Sequence, residues 1–190
     1  MDQGKKSFLA LVFVFVAPVV LGSLLFFNKE KLGISSTVNY GELIVPAKPT
    51  LADGLMRDGK PAKGDQAISK RWTMLYIEPN ECDSFCMDRL LLMKRVRLLL
   101  NEEMRRVRTT FVSPHAQLEA QLKKDYPDLN VRQVESASSI FIKQFPQLDK
   151  KPIYLLDPLG NMMMLYPDAD PDYKFMIKDI KRLLKYSRVG

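Results

Sequence analysis

Twenty consecutive residues without a charge, Phe8 to Phe27 (FLALVFVFVAPVVLGSLLFF), constrain this chain more than any other feature. As a helix rising about 1.5 Å per residue they extend about 30 Å, the hydrocarbon thickness of a bilayer. Pro18 removes one helical hydrogen bond, which membrane helices tolerate. A cleaved signal peptide fits less well. Its apolar region is usually about 7–15 residues long, and no A-x-A-like site follows here, where the exit reads Phe26-Phe27-Asn28-Lys29. The Arg- and Ser-rich amphipathic pattern of a mitochondrial presequence is also missing, which points to a bacterial inner membrane. Lys5 and Lys6 before the run nearly balance Lys29 and Lys31 after it, so the positive-inside rule does not decide orientation. The simplest topology makes residues 1–7 a cytoplasmic head, 8–27 a single-pass transmembrane anchor, and exports the remainder to the periplasm.

The rest of the chain has an ordinary globular make-up. In the whole sequence 46% of residues are apolar and 27% charged, with 12 Pro and 9 Gly, too few for a disordered or fibrous chain. Residues 28–70, punctuated by Pro46, Pro49, Pro61, Gly54, Gly59 and Gly64, read as a linker and a lead-in. The pairs Asp53-Gly54 and Asp58-Gly59 suggest a small hairpin within it. From residue 71 the pattern is regular. Trp72 to Ile77 is a buried strand, and Cys82 to about Glu103 keeps helical spacing through 86, 90, 93 and 96. Val107 to Val112 is a second strand, and Pro114 opens a helix to about Tyr126. Val131 to Val134 is a short strand. Ile153–Leu156 and Met162–Tyr166 are strands joined by the turn Asp157-Pro158-Leu159-Gly160-Asn161. A last helix, Asp172 to Tyr186, turns Phe175, Met176, Ile180, Leu183 and Leu184 inward. A parallel βαβ unit followed by an antiparallel hairpin and a covering helix is the thioredoxin layout. The expected fold is therefore α/β, a thioredoxin-like three-layer domain over residues 71–190 on one N-terminal transmembrane helix.

Two cysteines and one histidine exclude a four-ligand structural zinc site built from Cys and His alone, and a disulfide-dense scaffold. Both cysteines lie in Glu81-Cys82-Asp83-Ser84-Phe85-Cys86, where the first strand gives way to the first helix. A C-x-x-x-C spacing rises about 6 Å and returns to nearly the same helix face. The two sulfurs can be bridged, or as thiolates they can clamp a soft metal such as Cu(I). Helix-start N–H groups stabilise a thiolate there, whereas Glu81, Asp83 and Asp88 oppose it, with Arg89 as the counterweight.

The stretch Trp72 to Cys86, WTMLYIEPNECDSFC, resembles the strand, loop and helix of the Sco/SenC cytochrome c oxidase assembly proteins. Thr110 to Ser113 resembles their next strand, and Ile153 to Asn161 (IYLLDPLGN) their late strand and turn. The resemblance implies a membrane-anchored thioredoxin-like domain whose two cysteines and a distant histidine bind copper. It also implies a role in maturing the oxidase's dinuclear copper centre. Cys82 and Cys86 match directly. The histidine has no counterpart: its expected place, near 148–152, reads Leu148-Asp149-Lys150-Lys151-Pro152.

Three features bear on what takes its place. Pro152 resembles the proline that faces the dithiol in thioredoxins, where it is cis; a trans proline entering the strand fits the position equally. His115 follows the second strand at the same carboxyl-end edge as the cysteine turn, where sites gather in open sheets. It is thus a candidate third metal ligand beside Cys82 and Cys86, although a solvent-facing turn is the commoner place for such a residue. Met87 and Met162-Met163-Met164 are soft donors, but a Met-rich strand is ordinarily core filling.

The formal charge of +7 suits an anionic partner. An exported domain does not meet nucleic acid, so lipid headgroups or an acidic partner patch are the expected counterparts. Two basic segments carry the surplus, Arg89 to Arg108 and Lys174 to Arg188. No Gly-rich phosphate loop or G-x-S-x-G is present. Three readings remain. The first is thiol–disulfide exchange by Cys82, Cys86 and Pro152 on the copper-site cysteines of a cytochrome c oxidase subunit or of another copper-site assembly factor. The second is Cu(I) delivery, and the third a docking protein with a relic dithiol.

Overall fold

The apolar run is one continuous helix, α1 (Gln3–Phe27), that passes through Pro18. None of its residues is buried, so it is not the core helix of a folded domain. Its length and composition suit a membrane crossing. The Ser23 hydroxyl and the Asn28 side-chain amide donate to the carbonyls of Val19 and Leu24 at 2.8 Å, which satisfies both groups within the helix. The computed structural model describes residues 3–28, 39–57, 60–61, 68–115, 118–167 and 170–187. It separates residues 1–38 from a second unit, 39–190.

The second unit is built on a sheet whose strands follow the chain as β1 (Glu42–Pro49), β2 (Leu55–Arg57), β3 (Lys60–Pro61), β4 (Trp72–Ile77), β5 (Val107–Ser113), β6 (Leu129–Val134), β7 (Ile153–Leu156) and β8 (Asn161–Tyr166). Across the sheet their order is β1-β8-β7-β4-β5-β6-β2-β3. β4, β5 and β6 run parallel, joined by the crossover helices α2 (Ser84–Leu99) and α3 (Leu118–Asp125). β7 returns antiparallel to β4, and β8 antiparallel to β7. A final helix, α4 (Tyr173–Tyr186), follows. The central β4 is buried along its whole length, which is why its sequence is an unbroken apolar run rather than an alternating one.

Apolar side chains fill both faces. On one, Trp72, Met74, Tyr76, Phe111 and Leu155 meet Cys86, Leu90, Met93 and Val96 of α2 and Met176, Ile180 and Leu184 of α4. On the other, Leu75, Ile77, Val112, Tyr154 and Leu156 are covered by Leu55, Ile68, Phe141, Ile142 and Phe145. That covering is made of β2, short 3-10 turns and loop, not a long helix.

Several boundaries differ from the sequence reading. The domain begins near Asn39, because β1, expected within a linker, pairs antiparallel with β8 from Glu42↔Leu165 to Pro49↔Asn161. Its pairing is irregular between Leu43 and Lys48, where Pro46 offers no N–H, and an edge strand tolerates that. The expected hairpin is β2 with β3, and its turn Asp58-Gly59 lies outside the described residues. The long helix expected to Glu103 ends at Leu99, and a 3-10 helix, Asn101–Arg106, follows it, opening on the positive φ of Asn101 (55°). Phe175, expected inward, is 49% exposed: it stacks on Tyr40 at 5.4 Å between ring centres.

Candidate dithiol site

Past Ile77 the chain turns through Glu78, Pro79, Asn80 and Glu81 to Cys82 before α2 begins. Asp83 caps that helix. Its backbone is extended (φ −84°, ψ −172°), and its Oδ1 accepts the Cys86 N–H at 2.9 Å, which fixes Cys86 in the first turn. Cys82 and Cys86 are joined in a disulfide with their Cα atoms 5.2 Å apart. Cys86 is fully buried against Leu90 and Tyr76, while Cys82 is half-buried. The sulfur open to a partner is therefore that of Cys82, with Cys86 behind it.

The turn before β7 supplies the second half of the site. A one-turn 3-10 helix, Leu148–Lys150, is bounded by two residues with left-handed backbone, Gln147 (φ 56°) and Lys151 (φ 48°). Such a conformation costs a non-glycine residue on the order of 1 kcal/mol. It places the Lys151 ammonium 2.9 Å from Glu78 Oε2 and 3.6 Å from Asp83 Oδ2. The same ammonium stands 5.6 Å from the centre of the Phe85 ring, which also carries the buried Arg89 guanidinium at 4.7 Å.

The Glu78 side chain has no exposed surface. Its Oε1 accepts the Asn80 N–H at 3.2 Å, and its Oε2 accepts the Tyr76 hydroxyl at 3.1 Å in addition to Lys151. Three donors thus satisfy a carboxylate that burial would otherwise penalise heavily. The charges shift one another. The hydrogen bond to Glu78, aided by Asp83, holds the Lys151 amine above its usual range against the effect of burial. The Cys86 N–H, and after it the Lys151 charge, hold the Asp83 carboxyl below its own. Burial, and next Glu78, push the Tyr76 phenol well above its usual range.

Among the residues singled out from sequence, the structure brings together Cys82 and Cys86. Pro152 is buried at the head of β7, and its preceding bond is trans: the cis bond among the described residues precedes Pro46. His115 is exposed, and its backbone N–H donates to Ser113 Oγ at 3.2 Å. Among the described residues no three His, Cys, Asp or Glu side chains are grouped to hold a metal. Met162 and Met164 belong to the two core clusters, and Met163 and Met87 pack against the first of them. A Cu(I) site needing a third soft donor does not fit these residues. Where the Sco/SenC histidine would be expected, Lys151 presents an ammonium with no lone pair and a charge that repels a cation.

Glu78 and Lys151 escaped the sequence reading. The available signals were a lone carboxylate between Ile77 and Pro79, where a buried strand ends, and a lysine beside Pro152.

The fold is shared with solved proteins. The solution structure of apo Sco1 from Thermus thermophilus is 17% identical with a TM-score of 0.57, over 78% of this chain and 99% of that one. A thioredoxin-like protein from Porphyromonas gingivalis is 15% identical with a TM-score of 0.52, over 79% and 96%. Yeast Sco1 is 16% identical with a TM-score of 0.50, over 63% and 83%. At such identities the likeness establishes the fold. No curated protein matches the sequence significantly. The family described as "transmembrane-like, thioredoxin-like, C-terminal domain" matches residues 72–187, more than half of the chain, and the protein belongs to that family.

Proposed function

We propose that the chain is a membrane-anchored thiol–disulfide exchange factor for cytochrome c oxidase assembly, working on the copper-site cysteines of an oxidase subunit. Residues 1–7 lie in the cytoplasm and the domain on the periplasmic face of a bacterial inner membrane. The observation that carries the chemistry is the graded Cys82–Cys86 pair with the Lys151 ammonium nearby, where a third metal donor would otherwise be expected. The choice of substrate rests on the resemblance of residues 72–86, 110–113 and 153–161 to Sco/SenC segments, together with the shared fold.

In the reduced chain the Cys82 thiolate attacks one sulfur of the subunit's disulfide. That S–S bond breaks, its other sulfur leaves as a thiolate, and a mixed disulfide remains. Cys86, its proton lost to solvent, then attacks Cys82 and expels the subunit's second thiolate. Two electrons pass to the subunit and the chain is left as the Cys82–Cys86 disulfide. A reduced dithiol protein must restore it. The helix start and the Lys151 charge favour the Cys82 thiolate, and Asp83 moderates both.

The test incubates the reduced full chain in detergent with an oxidised peptide holding the two copper-site cysteines. One disulfide reduced per chain, lost in Cys82→Ser, is expected. Tight stoichiometric Cu(I) binding without exchange would replace this reading with copper delivery.

A further inference from the structure

The two basic segments of the sequence are used differently. In the first, Arg89 is buried, Lys94 donates to the Asp125 carbonyl, and Arg97 holds the Val107 carbonyl and Asp128. Arg106 binds Glu103 and the carbonyls of Leu184 and Ser187. Much of that charge holds the fold together. On α4 the case is different. Lys174, Lys178, Lys181 and Lys185 are all exposed, and their spacing of three and four sets them on one stripe opposite the buried Met176, Ile180 and Leu184. None of the four makes an ion pair among the described residues. The carboxylate within the helix, Asp179, is buried and turned to the backbone N–H groups of Tyr40 and Gly41, both at 2.9 Å. Phe175 and Tyr186, the latter 79% exposed, add aromatic surface. Arg188, the last residue of this segment, lies outside the described residues.

The covalent chain also enters the domain along this helix. Asn39 Oδ1 accepts from Arg182 at 3.3 Å, and Tyr40 stacks on Phe175. Residues 28–38 are all that separate this entry from the end of α1. Fully extended they reach at most about 40 Å. A bilayer crossed by α1 is thus always within tether's reach of the point where α4 meets the incoming chain.

We propose that the exposed α4 face docks on anionic phospholipid of the membrane that α1 crosses. Its four ammonium groups meet lipid phosphates, and Phe175 and Tyr186 meet the interfacial layer. The tether favours this occupant over an acidic protein patch, since a bilayer surface is held close at all times and a protein partner is not. The inference is independent of the dithiol chemistry.

The test places the full chain in nanodiscs of phosphatidylcholine alone and of phosphatidylcholine with an equimolar share of phosphatidylglycerol. Amine acetylation is then read by mass spectrometry, with the exposed Lys124 and Lys143 as references. Acetylation of the four α4 lysines should slow on the order of fivefold in the anionic discs and recover at high salt, with the references unchanged. Equal rates in both discs would overturn the proposal. So would protection that is absent in the anionic discs and arises only when the same chain is labelled in native membranes, which would assign the face to an acidic protein.

Discussion

The Lys151 ammonium lies 2.9 Å from a Glu78 carboxylate that has no exposed surface, so the turn ahead of β7 is clamped to the end of β4 beside the cysteines. Removing one member of a fully buried pair costs about 3–5 kcal/mol, because the other charge is stranded. Lys151 keeps 27% of its side-chain surface, which screens part of the interaction. Lys151→Met is therefore expected to cost about 2 kcal/mol in chemical denaturation of the detergent-solubilised chain. Adding Glu78→Gln removes the stranded charge and should restore at least half of the loss. Strictly additive losses in that double-mutant cycle would show that the two side chains are not coupled.

The same lysine reaches the cap of α2, and the two groups give stability a limb at each end of the pH scale. Asp83 is held below its ordinary 3.8, first by the Cys86 N–H and then by Lys151. Its contribution is complete above 3.8 and disappears as pH falls through the lower folded value. Lys151 is held above 10.5, first by its hydrogen bond to Glu78. Its contribution is complete below 10.5 and is lost as pH rises through the higher folded value. Melting temperature against pH should show a shallower acid limb in Asp83→Asn and a shallower alkaline limb in Lys151→Met. An acid limb as steep as that of the unaltered chain would mean that the cap's charge plays no part.

What could be read in the sequence follows from which signals are local. β4 was visible because a strand buried on both faces must be apolar throughout, and Cys82 and Cys86 because four residues of helix bring them together whatever else the chain does. β1 was hidden by Pro46 and Pro49, which usually argue against a strand. Only the pairing with β8, more than a hundred residues away, shows that an edge position accommodates them. Phe175 fits the helical period of the core face, and its outward turn depends on Tyr40, a partner no period reveals. The Glu78–Lys151 contact spans 73 positions and joins the residue just past β4 to a residue in the turn ahead of β7. Sequence adjacency carries no trace of that.

Burial assigns distinct roles to the two thiols. With Cys86 fully buried and Cys82 half-buried, reduced Cys86→Ser incubated with oxidised glutathione should accumulate a mixed disulfide through Cys82. Cys82→Ser should form far less, since its remaining sulfur lies behind the first turn of α2. Intact-mass measurement under non-reducing conditions reads both. Equal accumulation in the two variants would mean that the site opens enough to expose Cys86 and that the assignment of the attacking thiol to Cys82 is wrong.

Asp179 tests whether residues 39–49 are part of the domain or merely rest on it. Its Oδ2 accepts the N–H groups of both Tyr40 and Gly41 at 2.9 Å, and the carboxylate is buried under Tyr40, which stacks on Tyr166 and Phe175. Asp179→Ala would leave two backbone donors without an acceptor where water has little access, at a cost of about 2–4 kcal/mol. Asp179→Asn keeps one carbonyl oxygen in place and should cost clearly less. The loss should be local as well as global: limited proteolysis of Asp179→Ala should cut first within 39–49, releasing β1 from β8 while the sheet from β4 to β8 survives. Cleavage that begins elsewhere, with 39–49 still protected, would mean that β1 is held by its pairing with β8 alone and that the carboxylate does not fasten the chain's entry to α4.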